Sequence, residues 1–132
     1  MKADPTEAKK YFEAANTGSS VSNGSESAIE DVADPAVFST IIASAGITVV
    51  DYWAPWCKNC KKITPLLTRL AGEMPDVKFI KVDTTDAEEI AHTQKIDSLP
   101  SLHFFKAGVK VAEFKGSDLA KIESAIRGAA AL

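Results

Sequence analysis

The chain has 132 residues, 45% hydrophobic and 25% charged, with a formal net charge of −3. That is enough chain for one compact core and too little for two ordinary domains. No basic stripe interleaved with aromatics runs through it, and no apolar run approaches the ~20 residues that cross a bilayer, so neither nucleic acid nor membrane is an expected partner.

Residues 5–15 open at Pro5 and put Ala8, Tyr11, Phe12 and Ala15 on one side of a short predicted helix. This opening segment lacks the apolar stretch of a secretory signal, and Asp4, Glu7 and Glu13 fit poorly with an acid-poor organellar transit peptide. A cytoplasmic location is the expectation, with an organelle as the alternative if a presequence has been removed. "NTGSSVSNGSES", residues 16–27, holds one aliphatic residue among Ser, Gly and Asn and reads as a flexible linker. The chain thus divides into an N-terminal extension over 1–27 and a folded domain over 28–132.

In "DPAVFSTIIASAG" Asp34 is a good helix cap and Pro35 suits the first helical position. Phe38, Ile41, Ile42 and Ala45 then recur at helical spacing up to Gly46. "ITVVDYWA" is a nearly continuous apolar run rich in β-branched residues, as expected for a central strand covered on both faces. From Cys57 onward, Cys60, Ile63, Leu67, Leu70 and Met74 step by three and four along one helix face, with Pro65 inside the pattern to kink it. "VKFIKVD" predicts a strand. "TDAEEIAHTQK" predicts a helix whose Thr85 and Glu88 have capping-box spacing. "SLHFF", the turn "KAGVK" and "VAEFK" form a hairpin, and "SDLAKIESAIRGAAAL" a last helix with Leu119, Ile122 and Ile126 inward. A parallel strand pair followed by an antiparallel hairpin gives an α/β domain, a mixed β-sheet with helices on both faces.

Both cysteines fall in "WAPWCKNCKK". A thiol attacks only as thiolate, and an ordinary cysteine is mostly protonated at neutral pH. At the start of a helix, unpaired N–H groups and the positive end of the macrodipole favour an anion at Cys57, and Lys58 and Lys61 add positive charge. Cys60, three residues on, points to the apolar face, so one sulfur is accessible and the other sheltered. That asymmetry suits two-step exchange, in which Cys57 attacks a substrate disulfide and Cys60 resolves the adduct. Asp51, six residues before Cys57 in the apolar strand, is the candidate base for Cys60, since desolvation raises a carboxyl toward neutrality; a strand-end Asp bound to a backbone amide or paired with a lysine is the alternative.

Other readings of the pair carry less. Cysteines so close would close a loop too small to staple a domain. Structural zinc takes four ligands, and the chain adds only His92 and His103 on separate elements. A cluster shared between two chains and a pair of inert buried thiols stay open as alternatives. His92 and His103 receive no role. Lys58, Lys61 and Lys62 form either a solvated helix face or a patch that steers acidic partners.

The set "VVDYWAPWCKNCKKITP", "KVD" and "SLPSLHFFKAGVKVAEFKG", in this order, resembles the thioredoxin family over about residues 28–127. The resemblance implies the thioredoxin fold, a nucleophile at Cys57, a resolving thiol at Cys60, a buried acid at Asp51 and a lysine near it at Lys81. It also implies a cis bond before Pro100, with the backbone of Leu99 pairing to an extended substrate as a short added strand. Trp56, Pro100 and Gly116 would line the groove, and Lys58 and Asn59 belong to the same substrate-facing set. Trp53 is expected to be packing. No cofactor is implied beyond the redox-active Cys57–Cys60 disulfide.

The implied partners are disulfide-containing proteins and a thioredoxin reductase or other dithiol donor, with NADPH or ferredoxin behind it, and the chain is expected to act as a monomer. Where an ordinary thioredoxin has Gly-Pro between its cysteines, this chain has Lys58-Asn59, and a less reducing potential is expected. The expected activity is reduction of protein disulfides. An oxidant or isomerase, and a non-catalytic module binding through Trp56 and Pro100, are the alternatives; the glutathione-binding pattern of glutaredoxins is missing.

Overall fold

The computed structural model describes residues 29–132. The helix expected over 5–15 and the linker over 16–27 lie outside the described residues. The elements in chain order are β1 (Ile29–Asp31), α1 (Pro35–Ile42), β2 (Ile47–Trp53), α2 (Lys58–Glu73), β3 (Lys78–Asp83), α3 (Glu88–Thr93), β4 (Ser101–Lys106), β5 (Val109–Lys115) and α4 (Leu119–Ala130). The strands make one sheet in the order β1-β3-β2-β4-β5. β3 runs parallel to β1 and β2, while β4 is antiparallel to β2 and to β5. The sequence pattern does not announce β1, a three-residue edge strand too short to show a period.

Alternation along the strands sorts their side chains between two cores. Ile47 and Val49 of β2, Phe79 of β3 and Leu102 and Phe104 of β4 meet Ile63, Leu67 and Leu70 of α2 and Ile122 and Ile126 of α4. On the opposite face Val50, Tyr52, Ile80, Val82 and Phe105 meet Phe38 of α1 and Ile90 of α3. Each such side chain taken from water contributes about 1.5–3 kcal/mol. β2 is buried from Ile47 to Tyr52, as a central strand covered on both faces must be. Outside the cores, Arg69 and Glu73 of α2 and Glu123 and Arg127 of α4 alternate in a ring of ion pairs of 2.9–3.0 Å.

Three local readings change. Helix α1 has the expected start, with Asp34 Oδ1 accepting from the Ala36 N–H at 2.8 Å and Pro35 at the first position. It ends at Ile42, short of Gly46, where the β4–β5 turn takes the chain's carbonyls: the Gly108 N–H donates to Ile42 O and the Ala107 N–H to Ser44 O, both at 2.8 Å. The residues of that turn, Ala107 and Gly108, have φ of 53° and 83°, the positive φ that two-residue hairpin turns require.

The capping box at Thr85 does not form. Helix α3 begins after Ala87 without a side-chain cap, because Thr85 donates its N–H and its hydroxyl to Asp83 Oδ1, at 2.9 and 2.7 Å. Leu119 is not inward either. It is 40% exposed at the first position of α4, whereas Ile122, Ile126 and Ala129 are buried.

Candidate active site

The cysteines lie where the carboxyl end of the central strand β2 leads into helix α2. Cys57 is the N-cap of α2, in extended conformation, and its Sγ accepts from the Cys60 N–H at 3.2 Å. The Cys57 N–H donates to Ala54 O at 3.0 Å. The two cysteines form a disulfide with their Cα atoms 5.3 Å apart. They pack with Ala54, Trp53 and Leu99. Both sulfur-bearing residues are shielded, Cys57 at 7% and Cys60 at 2% exposure, so the contrast in exposure is smaller than the sequence suggests. Trp56 beside them is 71% exposed. Lys58, Asn59, Lys61 and Lys62 are exposed as well.

Asp51 is on β2, six residues before Cys57, on the face covered by α2. Ladder register sets it beside Lys81 of β3 and Leu102 of β4. Together with Thr64, Pro65, Leu67, Thr68 and Lys81 it lines a cleft of about 760 Å³. The residue is buried, and its Oδ1 has no hydrogen-bond partner among the described residues. Desolvation pushes its carboxyl up to about 7; Lys81 pulls it down, and Asp31 raises it. Lys81 does not cap the carboxylate. Its Nζ stands over the Trp53 ring, 5.3 Å from the centroid.

The Leu99–Pro100 bond is cis. The Ser101 hydroxyl donates to Ser98 O at 2.7 Å, and the Gly116 N–H to Pro100 O at 3.1 Å, which ties the end of β5 to this loop. Gly116 has φ 122°, a conformation that side chains rarely adopt. A groove of about 290 Å³ runs between loop and cysteines, lined by Trp56, Cys57, Thr84, Ala91, Ile96, Asp97, Ser98 and Leu99. Cys60, Lys58, Asn59, Pro100 and Gly116 are outside that lining.

Thr84, Ala91, Ile96 and Asp97 escape sequence reading, whereas Ser98 belongs to the quoted proline loop. Their signal is only positional: the turn after β3 opens at the carboxyl end of a parallel strand, where α/β sheets bind ligands.

The comparisons with known proteins bear on the same residues. A family model described as thioredoxin matches residues 29–128. The chain belongs to the thioredoxin family. It is 34% identical over 99 residues to thioredoxin-1 of Schizosaccharomyces pombe, covering 75% of this chain and 96% of that one. It is 36% identical over 100 residues to thioredoxin of Oryctolagus cuniculus, covering 74% and 95%. Among solved structures, the oxidised form of mitochondrial thioredoxin 3 from Saccharomyces cerevisiae superposes with a TM-score of 0.74 at 28% identity, over 79% of this chain and 98% of the other.

The fold is accordingly the thioredoxin fold, and the chain is a thiol-disulfide oxidoreductase of the protein-disulfide reductase class. Neither the isomerase nor the binding module is favoured by these relatives. A buried histidine is apart from this site. His103 packs edge-on against Tyr52, ring centroids 4.7 Å apart, and desolvation first, then Lys110, pushes its imidazole down to about 4.

Proposed function

We propose that Cys57 is the nucleophile, Cys60 the resolving thiol and Asp51 the proton acceptor for Cys60. The single observation that carries this is position: Cys57 caps α2 and lines the groove beside Leu99 and Trp56, whereas Cys60 is buried in the first turn of α2, outside that lining. The Cys57 thiolate attacks one sulfur of a substrate disulfide, which forms a mixed disulfide and expels the other sulfur as thiolate. Cys60 gives its proton to Asp51 and attacks Cys57 Sγ, which closes the Cys57–Cys60 bond and expels the second substrate thiol. The enzyme dithiol loses two electrons and the substrate disulfide gains them.

Charge placement supports the thiolate. Helix α2 carries Lys58 and Lys61 in or beside its first turn, no acidic residue there and no basic residue in its last turn. That pattern runs against the macrodipole, which favours anions at the N-terminus and cations at the C-terminus. It suits an anion at the cap itself. The backbone of Leu99 and the exposed Trp56 ring would hold an extended protein segment, with Pro100 and Gly116 shaping the loop and Lys58 and Asn59 at its rim. Burial raises the affinity of Asp51 for its proton and Lys81 moderates it.

A thioredoxin reductase or another dithiol donor returns the pair to the thiol form, and the chain works as a monomer in a reducing compartment such as the cytoplasm. Insulin-disulfide reduction measured with dithiothreitol, with glutathione and with a thioredoxin reductase tests the assignment. Turnover with dithiothreitol is expected. Absence of turnover with every donor would refute it.

The Lys58-Asn59 pair makes the couple more oxidising. A positive charge beside Cys57 stabilises the thiolate, and stabilising the reduced form raises the potential by about 30 mV for each tenfold in the equilibrium. Replacing the pair by Gly-Pro is expected to shift the equilibrium with glutathione toward the disulfide by roughly tenfold. An unmoved or more oxidising couple in that variant would contradict the reading.

A further inference from the structure

The row of side chains that crosses the sheet at Asp51 and Lys81 contains a third charged residue. In register, Asp31 of β1 stands beside Lys81 of β3, and Lys81 beside Asp51 of β2. Residues two apart on a strand share a face, and Ile29 lines the same cleft as Asp51 and Lys81. Asp31 is therefore on the α2 side with them, and the cation of the row is flanked by a carboxyl on each neighbouring strand.

We propose that Asp31 is a positioning residue for proton transfer at Cys60: it shares Lys81 with Asp51 and so leaves the inner carboxyl able to hold and release a proton. The inference rests on Asp51 acting as the base for Cys60. A buried acid facing a lysine alone is drawn toward a permanent anion, a weak proton acceptor. A second anion beyond the lysine offsets that pull directly, by repulsion, and indirectly, by competing for the ammonium.

Lys81 is committed to neither acid. Among the described residues it closes no ion pair with either, and its ammonium lies over Trp53. At Asp51 the direction fits: Asp31 raises the carboxyl against the pull of Lys81. Asp31 itself is exposed on the edge strand; partial desolvation raises it, Lys81 lowers it, and Asp83 and Asp86 raise it.

The other groups facing the row do not replace Asp31. Asp83 is two residues beyond Lys81 on β3 and accepts from Thr85, and Asp86 lies in the turn that follows. Helix α2 contributes the uncharged Thr64, Pro65, Leu67 and Thr68, together with Arg69, which is held by Glu73 and Glu123. β4 faces Asp51 with Leu102. Glu30, the neighbour of Asp31, pairs with Lys78.

The test follows the Asp51 carboxyl by carbon NMR through a pH titration of the reduced full chain, in the unsubstituted protein and in Asp31→Asn and Asp31→Glu. The pH profile of the resolution step, read as release of a leaving thiol from a mixed disulfide on Cys57, is measured in parallel. Two strand spacings of ~4.8 Å and an effective dielectric of ~20 give a downward shift of about one pH unit at Asp51 in Asp31→Asn. The rate profile is expected to move with it, and Asp31→Glu to restore both.

An Asp51 midpoint unmoved by Asp31→Asn overturns the proposal and leaves Asp51 as the base. A Glu variant shifted as far as the Asn variant overturns it too, because the charge would be present without effect. A midpoint that moves while the rate profile stays fixed overturns the role of Asp51, and this inference with it.

Discussion

Asp51→Asn is expected to give a protein that is more stable at pH 8 and much slower at its reaction. The carboxyl has a folded value of about 7 against 3.8 for an unperturbed one, so between those two pH values the folded chain binds a proton that the unfolded chain has released. Stability from this group is fully present below about pH 4, is lost as pH rises toward 7 and stays lost above. At 1.36 kcal/mol per unit, the ionised carboxylate costs the fold about 4 kcal/mol at pH 8.

Asparagine removes that charge and introduces amide hydrogens that must find acceptors, at a cost of about 1 kcal/mol. A net gain of about 3 kcal/mol at pH 8, turning into a loss of about 1 kcal/mol below pH 4, should be visible in denaturant unfolding measured across that range. The same variant loses the proton acceptor for Cys60, and resolution is expected to slow by about 10²-fold at neutral pH. A variant less stable than its parent at pH 8 would show that the buried carboxylate is satisfied in a way its desolvated setting does not indicate.

Asp51 was legible because it is the one charged residue in a nearly apolar run, and such a position in a central strand has only a protein interior to face. Lys81 was legible only through family resemblance. Its place beside Asp51 comes from the register of two strands separated by all of α2, and no local pattern encodes that pairing. The cis bond at Leu99–Pro100 has the same status. Asp34 and Pro35 were read correctly because a cap acts within its own few residues.

Thr85 shows the limit of that local reasoning. Its spacing from Glu88 satisfies the capping box, but the nearer carboxylate of Asp83 takes the hydroxyl first. Leu119 fails for a different cause: helical period assigns it the buried face, but at the first position of α4 it lies beyond the sheet that the later turns cover. The groove was half legible. Trp56, Cys57 and Leu99 belong to marked motifs, while Thr84 and Ala91 are ordinary residues carried to the site by the β3–α3 connection.

The division of labour between the sulfurs leads to the sharpest experiment. Exposure differs little between them, 7% against 2%, so accessibility alone does not decide which one attacks. The groove does: Cys57 is part of its lining, next to Leu99, and Cys60 is not. Once a mixed disulfide forms at Cys57, Cys60 is held within bonding distance of it, at a Cα separation of 5.3 Å. An intramolecular thiol so placed acts at an effective concentration of 10⁵ M or more, by the general scale of well-oriented reactions.

Cys60→Ser removes that thiol and leaves a hydroxyl that does not attack disulfides. The expected result is a covalent one-to-one complex with a disulfide substrate such as oxidised insulin, seen by mass spectrometry and on non-reducing gels and released by dithiothreitol. Cys57→Ser is expected to capture nothing, since its remaining thiol lies behind the groove. Turnover falls by roughly 10³-fold or more in both variants, so rate alone does not separate the roles and capture does. Equal capture by the two variants, or capture by Cys57→Ser alone, would mean that substrate reaches the inner sulfur and that the assignment has to be reversed.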